Sequence, residues 1–300
     1  MIEVNLIGTG GMLPLPERWL TSLWLEYKGK ACLIDCGEGT QIAINQQKLK
    51  LSHLDILLIT HVHADHISGL PGLLLSLGNC GKTGILKIYG HTGIADTIKK
   101  LCCICPILPF EIEINELSSY DNSEFDWNEI SVSSMPLKHS VDCLGYSFVL
   151  NRKPIFNPKK AKSLEIDVKY WKELHSGKTI TIDCKHISPE MVTDGQRKPI
   201  KVTYITDSRY FSKMTDFAEN SDLLISEGMY GDDEYISKMT EKGHMVFSQS
   251  AELAKNSQSE MLWLTHYSPA LKNPNEYSES IRKIFKNTVI SRDGEKTVLK

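Results

Sequence analysis

Apolar residues come in short runs divided by polar or glycine-bearing turns, and the runs alternate between strand and helix periodicity. Ile2 to Ile7 and Cys32 to Ile34 have strand patterning, and Gly39 to Gln47 has the pattern of a helix. Leu54-Asp55-Ile56-Leu57-Leu58-Ile59-Thr60 predicts a buried strand, and Ile67-Ser68-Gly69-Leu70 onward predicts a helix entered through a tight turn. Lys87-Ile88-Tyr89 predicts a further strand, Thr92 to Leu101 a helix, and Glu111 to Leu117 and Ile130 to Leu137 two more strands. Later, Lys201 to Thr206, Asp222 to Ser226 and Met261 to Thr265 predict strands, with a helix at Phe247 to Lys255.

Several of these strands deliver a polar group at the carboxyl end. Thr60 is followed by His61, Thr206 by Asp207, Ser226 by Glu227 and Thr265 by His266. Recurrence of such groups at strand ends in an α/β protein marks one shared active edge. The two halves look architecturally alike without a repeat of fixed period, which predicts one αββα sandwich over residues 1–300. Residues 151–201 break the rhythm with Pro154, Pro158, Pro189 and Pro199, a Lys-rich helix-like stretch and a turn at Asp194-Gly195. They are expected to form an arm inserted into the sandwich.

Composition narrows the class. The 300 residues are 41% hydrophobic and 24% charged, as in an ordinary globular chain, and no run of ~18 apolar residues predicts a membrane span. Met1-Ile2-Glu3-Val4-Asn5 looks like a first strand and not a signal peptide. The eight Cys, at 32, 36, 80, 102, 103, 105, 143 and 184, lack a disulfide rhythm and are expected to be reduced thiols of a cytoplasmic protein. Cys102-Cys103-Ile104-Cys105 can suggest a soft-metal or redox site, but small buried packing residues are the expectation. Charge is uneven. Residues 151–201 hold 12 Lys+Arg against 6 Asp+Glu, a local +6, leaving −9 on the rest of a chain whose net charge is −3. Tyr170 and Trp171 lie among Lys169, Lys172 and Lys178, an interleaving that suits an RNA-gripping arm as well as a solvated loop.

The densest chemistry is His61-Val62-His63-Ala64-Asp65-His66. His61 and His63, two apart in an extended exit from a strand, can point the same way, while Asp65 and His66 begin the turn into the helix. Neutral imidazoles and carboxylates are ordinary zinc ligands, and this spacing suits two adjacent ions better than one. His139, Asp207 and His266, each after a strand, complete the set. One ion would take His61, His63 and His139, the other Asp65, His66 and His266, with Asp207 between them. Such two-metal sites activate water and neutralise charge on a transferring phosphoryl group. Zinc fits best, and manganese or iron(II) suit the same donors.

These motifs resemble the metallo-β-lactamase superfamily and, within it, the ribonuclease Z family of tRNA 3′-processing endonucleases. The likeness runs nearly end to end. It is carried by Gly8-Thr9-Gly10-Gly11, by Ile34-Asp35-Cys36-Gly37-Glu38-Gly39-Thr40-Gln41, by Thr60 through Leu74 and by Leu264-Thr265-His266-Tyr267-Ser268-Pro269. The resemblance implies hydrolysis of pre-tRNA to leave a 3′-hydroxyl, with Asp65 as general base. It implies a proton shuttle formed by Glu227 in Ile225-Ser226-Glu227-Gly228 and His244 in Gly243-His244-Met245-Val246. It also implies a homodimer in which one subunit's arm, residues 151–201, serves the other's active site as an exosite. Pro14 to Ser22 and Asp167 to Leu174 differ from the family's usual substrate loop and arm. Two rival classes use the same residues. One is a hydrolase for small or cyclic nucleotides, thioesters or lactones. The other is an RNA-binding protein that keeps metal for structure alone.

Overall fold

The hydrophobic rhythm resolves into two seven-stranded sheets in a computed structural model that describes residues 1–105, 107–182 and 185–300. Cys184 lies outside the described residues. Sheet one takes β1 (Ile2–Gly8), β2 (Ser22–Tyr27), β3 (Lys30–Ile34), β4 (Leu54–Leu58), β5 (Ile85–His91) and β6 (Glu111–Leu117). Sheet two takes β7 (Ser123–Trp127), β8 (Ile130–Pro136) and β9 (Leu144–Leu150). After the antiparallel pair β10 (Ile180–Ile182) and β11 (Lys185–Ile187), it continues with β12 (Ile200–Ile205), β13 (Leu223–Glu227), β14 (Leu262–Thr265) and β15 (Thr288–Ile290). The last strand, β16 (Glu295–Leu299), returns to sheet one beside β1, so the orders are 16-1-2-3-4-5-6 and 15-14-13-12-9-8-7. Neighbours β3–β4–β5–β6 and β12–β13–β14–β15 run parallel.

The chain forms two compact units, one of Met1–Phe125, Val132–Phe148 and Lys201–Lys300, the other of Asp126–Ser131 and Val149–Ile200. In the first, Leu33, Leu57 and Ile88 pack against Ala43, Ile44, Leu73 and Leu77 of two covering helices. In sheet two, Ile205, Leu224, Leu262 and Leu264 pack on Phe247, Ala251 and Ala254 of the helix Phe247–Asn256. The alternate positions Cys32, Ile34 and Leu58 in one sheet, and Tyr204, Ile225 and Trp263 in the other, are equally buried. Strands buried on both faces show as continuous apolar runs, and the pattern is that of an αββα sandwich. The Tyr146 hydroxyl in β9 donates to the Ile59 carbonyl at 2.7 Å, bonding sheet two to the end of a sheet-one strand.

The second unit has its own small core of Ala161, Ile166, Leu174, Ile180, Ile187 and Val192. Its helix Pro158–Ser163 starts with Asn157 accepting from the Lys159 and Lys160 amides, and Pro158 fits the first turn, where no amide hydrogen is needed. Two sequence expectations need correction. Tyr170 and Trp171 are half-buried against this core, and the Trp171 indole donates to the Ile166 carbonyl at 3.0 Å, so they serve packing here and not open stacking. Cys103 is exposed, while Cys102 and Cys105 are half-buried against the helix side of sheet one, so the cysteine cluster is only partly interior. Burial and then neighbouring Cys105 push the Cys102 thiol up to about 12. The described cysteines are all free thiols, and no described helix is long and apolar enough to cross a membrane.

Leu57 is fully buried at the centre of the helix-facing side. Leu57→Ala should destabilise the protein by ~2–5 kcal/mol, because lost transfer energy adds to the cavity left behind. Urea unfolding at an unchanged m-value measures this, and a loss below about 1 kcal/mol would show that the face is loosely packed.

Candidate metal centre and active site

The parallel strands end at one edge, and the chemistry-bearing residues follow those ends directly. Asp35 follows β3, the segment His61 to His66 follows β4, Asp207 follows β12, Glu227 closes β13 and His266 follows β14. Three of them, Asp35 (φ 61°), Asp207 (φ 47°) and His266 (φ 59°), have left-handed backbone, which an ordinary side chain adopts only at some cost. The left-handed step turns each side chain off its strand and into the shared edge. Glycines make room for it. A Cβ on Gly37 would collide with the Asp65 carbonyl, and one on Gly11 would lie 2.7 Å from the His266 ring.

Two groups of donors meet there. His61 Nε2, His63 Nδ1 and His139 Nε2 form the first, with separations of 3.0 Å and 3.1 Å from His63 to the other two. Asp207 Oδ2 lies 3.7 Å from His61 and 3.9 Å from His139. In the second group His66 Nε2 and His266 Nε2 are 3.2 Å apart, and Asp65 Oδ2 lies 3.4 Å and 3.5 Å from them. Asp207 Oδ1 approaches the same two nitrogens at 3.4 Å and 3.3 Å. A tetrahedral zinc with ~2.0–2.1 Å bonds separates its ligand atoms by about 3.3 Å, so both groups fit a divalent ion. All seven residues expected from the sequence as ligands are brought together. The set His61, His63, His139 and Asp207 and the set Asp65, His66 and His266 each lie within ligand reach.

Partners of the outer ring nitrogens fix which nitrogen carries the proton in His61, His66 and His139. Thr60 Oγ1 donates to Asp35 Oδ2 at 2.8 Å and lies 3.0 Å from His61 Nδ1, from which it therefore accepts. His66 Nδ1 donates to Asp35 Oδ2 at 2.8 Å, and His139 Nδ1 donates to the Gly243 carbonyl at 3.0 Å. With Nδ1 protonated, three imidazoles turn Nε2 lone pairs into the centre, as metal ligands must. Asp35 carries no chemistry itself. Burial raises its carboxyl above the usual range, but donors from His66, the Thr60 amide and the Thr60 hydroxyl hold it as the acceptor, and we take it as ionised. The sequence drew no role for it, although it follows a strand just as the ligands do.

Charge in the edge is tightly coupled. Burial alone would raise Asp207, but His266, His66, His61 and His244 hold it well below the usual carboxylate range. Burial likewise opposes ionisation of Asp65, and hydrogen bonds with His266 and His66 reverse the direction. Burial opposes a cationic His66, yet Asp207 and Asp35 raise it well above an ordinary histidine. Bound divalent ions would take the places of the inward protons, since ligands bind deprotonated.

Glu227 and His244 form a separate pair beside the ligands. Glu227 is fully buried, accepts from the Ser208 amide through Oε1 at 2.6 Å, and meets His244 Nδ1 through Oε2 at 2.9 Å. Burial disfavours the imidazolium, but the Glu227 carboxylate outweighs it, aided by Asp207, and His244 stands raised to about 9. His244 also lies within ligand reach of Asp207 and His266, but its Nδ1 is committed to Glu227. A cleft of about 640 Å³ is lined by His63, Asp65, His139, Asp207, His244 and His266. Cleft-side Asp65 also accepts from the Met12 amide at 2.7 Å. Asp35→Asn leaves the inward ligands in place but removes the anionic acceptor from His66 and Thr60. Divalent-metal affinity should fall by about 10–100-fold in a competitive chelator titration, and unchanged affinity would remove Asp35 from the account.

The comparisons with known proteins agree with this geometry. The family model described as "Anti-Pycsar protein Apyc1" matches residues 2–193, and the "Beta-lactamase superfamily domain" model matches residues 176–267. The first stops before Asp207, Glu227, His244 and His266, which the second includes. Ribonuclease Z of Lachnospira eligens is 45% identical over 300 residues, covering 100% of this chain and 98% of the relative. Ribonuclease Z of Clostridium acetobutylicum is 43% identical over 298 residues, covering 98% and 96%. Among solved structures, human tRNase Z, short form, superposes with a TM-score of 0.72 at 22% identity over 99% of each chain, a likeness of fold. With relatives matched along its whole length and both ligand groups at the shared edge, the chain belongs to the ribonuclease Z family of metal-dependent hydrolases on the metallo-β-lactamase fold.

Proposed function

We propose that this chain is a two-zinc endoribonuclease that removes the 3′ trailer of pre-tRNA and leaves a 3′-hydroxyl. The observation that carries the reading is the Glu227–His244 pair at 2.9 Å beside the two ligand groups. A ribose alkoxide leaves poorly unless it is protonated, and a half-buried, carboxylate-held imidazolium at the cleft is suited to that task. His61, His63 and His139 would hold one ion, Asp65, His66 and His266 the other, and Asp207 both. Zinc is favoured by the nitrogen-rich, tetrahedral spacing, and the same donors accept manganese or iron(II). When bound, the pair of ions would activate the attacking water and offset charge on the phosphoryl oxygens. Asp65, held by the Met12 amide, is the general base. Glu227 keeps the Nδ1 proton of His244 in place, so the proton passed to the departing O3′ comes from Nε2.

His244→Ala should lower pre-tRNA turnover by roughly 100-fold or more with metal content unchanged, the range expected for loss of a general acid. Hydrolysis of bis(p-nitrophenyl) phosphate, whose leaving group needs little protonation, should fall far less. Full-speed RNA cleavage by the variant would contradict the assignment. The same pair of substrates separates the rival reading, since a wild-type protein that turns over the small ester but not pre-tRNA is a small-substrate phosphodiesterase.

The substrate-binding arm is part of the proposal, as are a homodimer and a cytoplasmic location suited to tRNA maturation. Support comes from the second unit, where Lys159, Lys162 and Lys172 are exposed without an acidic partner among the described residues. Lys160 is already held by Asp194 at 2.9 Å and Lys169 by Asp167 at 3.6 Å, exposed pairs that contribute little and that a phosphate can displace. Because Tyr170 and Trp171 are engaged in packing, the expected grip is electrostatic. The triple variant K159A/K162A/K172A should weaken pre-tRNA binding and reduce the slope of log K against log salt by roughly 2–3, at about 0.7–0.9 for each lost phosphate contact. An unchanged slope would make the second unit a solvated insertion.

A further inference from the structure

Beyond the ligands and the acid, the cleft has an outer wall with no part in the chemistry so far. One side is the helix Ile236–Lys242, which contributes Lys238 and Lys242. Four residues apart, the two lysines share a face one turn apart, about 6 Å along the axis. Met239 between them is buried and anchors the helix, which ends at left-handed Gly243 immediately before His244. The element that presents the acid therefore also carries two ammonium groups at the cleft. Both lysines are exposed, and neither has an acidic partner among the described residues. Glu234, one turn before Lys238, makes no ion pair with it, and the Lys238 ammonium lies over the Tyr235 ring, 5.9 Å from its centroid.

Another part of the lining is apolar. Met12 and Leu13 are 58% and 60% exposed at the cleft, an unusual state for large hydrophobic side chains, and Pro269 and Ala270 continue the surface. Tyr230 adds a ring that is stacked on Tyr235 at 4.4 Å and accepts from the Ser268 hydroxyl at 2.9 Å, so its orientation is fixed. Cationic side chains beside flat or flexible apolar surface are what binds an unpaired polynucleotide strand, phosphates on one and bases on the other. A substrate with a single phosphate, spent at the metal centre, would leave both lysines without a phosphate partner.

We propose that Lys238 and Lys242 are substrate-binding residues that contact backbone phosphates flanking the scissile bond of an unpaired RNA strand, with a base resting on the Met12–Leu13 side. This rests on the RNA reading above and locates part of the selection for polynucleotide inside the catalytic cleft, separate from the second unit. Alanine is favourable in a helix, so K238A/K242A should fold as the parent does.

The test compares wild type, K238A/K242A, K238R/K242R and the control K99A/K100A, which removes two exposed lysines from the helix Ile94–Leu101. For pre-tRNA, K238A/K242A should raise KM on the order of 10-fold while kcat changes less than about threefold. The slope of log K against log salt, read by anisotropy of a labelled single-stranded RNA in the slow His244→Ala background, should fall by about 1.4, or ~0.7 for each phosphate. The arginine pair should restore KM, and K99A/K100A should behave as wild type. A wild-type KM and salt slope in K238A/K242A would overturn the proposal, as would a kcat loss at constant KM or an equal effect of K99A/K100A. Failure of the wild type itself to cleave pre-tRNA would overturn the RNA reading and this proposal with it, a result visible before any variant is compared.

Discussion

Asp207 holds one carboxylate oxygen toward each of two clusters of imidazole nitrogens, with Oδ1 3.3–3.4 Å from one and Oδ2 3.7–3.9 Å from the other. It is almost wholly buried, on left-handed backbone. An anion in that position is tolerable only among cationic or metal-bound partners, since an isolated buried charge costs several kcal/mol. The ligand segments must therefore close on it together: the loop after β4, the one after β8 that carries His139, and the one after β14. The second layer around this point is polar, with Asp35, Thr60 and the Gly243 carbonyl each fixing a ring proton outward. Metal affinity and the packing of this edge are expected to be linked, because the inward nitrogens lie 3.0–3.2 Å apart and bound divalent ions would take the place of the protons between them.

The central edge was legible in the sequence because its residues sit in a short run or directly after strongly apolar strands. Buried parallel strands such as β4, β12 and β14 show as continuous apolar runs and are hard to mistake. The strands β2, β7, β9 and β16 are not legible in the sequence: Ser123–Trp127 and Glu295–Leu299 mix charge with apolar residues, and β16 pairs with β1 from the other end of the chain. Asp35 lies in the motif Ile34-Asp35-Cys36-Gly37, yet a lone carboxylate after a strand has no spacing to mark it as the partner of a histidine 31 positions on. The cysteine run and the aromatic pair went the other way. Local composition suggested an interior for Cys103 and an open face for Trp171, and tertiary packing decided otherwise.

Chemistry and selection are divided between different parts of this chain. The ligand set alone describes a hydrolase for many phosphodiesters. In the proposed reading the Glu227–His244 pair narrows it to substrates with a poor leaving group, and the basic residues narrow it further to those with several phosphates. The uneven charge fits that order, because a chain of net −3 that concentrates +6 in residues 151–201 favours polyanions at that segment over the rest of its surface.

The account depends most on two ions sharing Asp207. Elemental analysis of protein purified without chelator, alongside Asp207→Ala prepared the same way, tests it directly. Close to two equivalents of divalent metal per chain are expected in the parent, with a clear loss in the variant. One equivalent in the parent, unaffected by removal of Asp207, would contradict it.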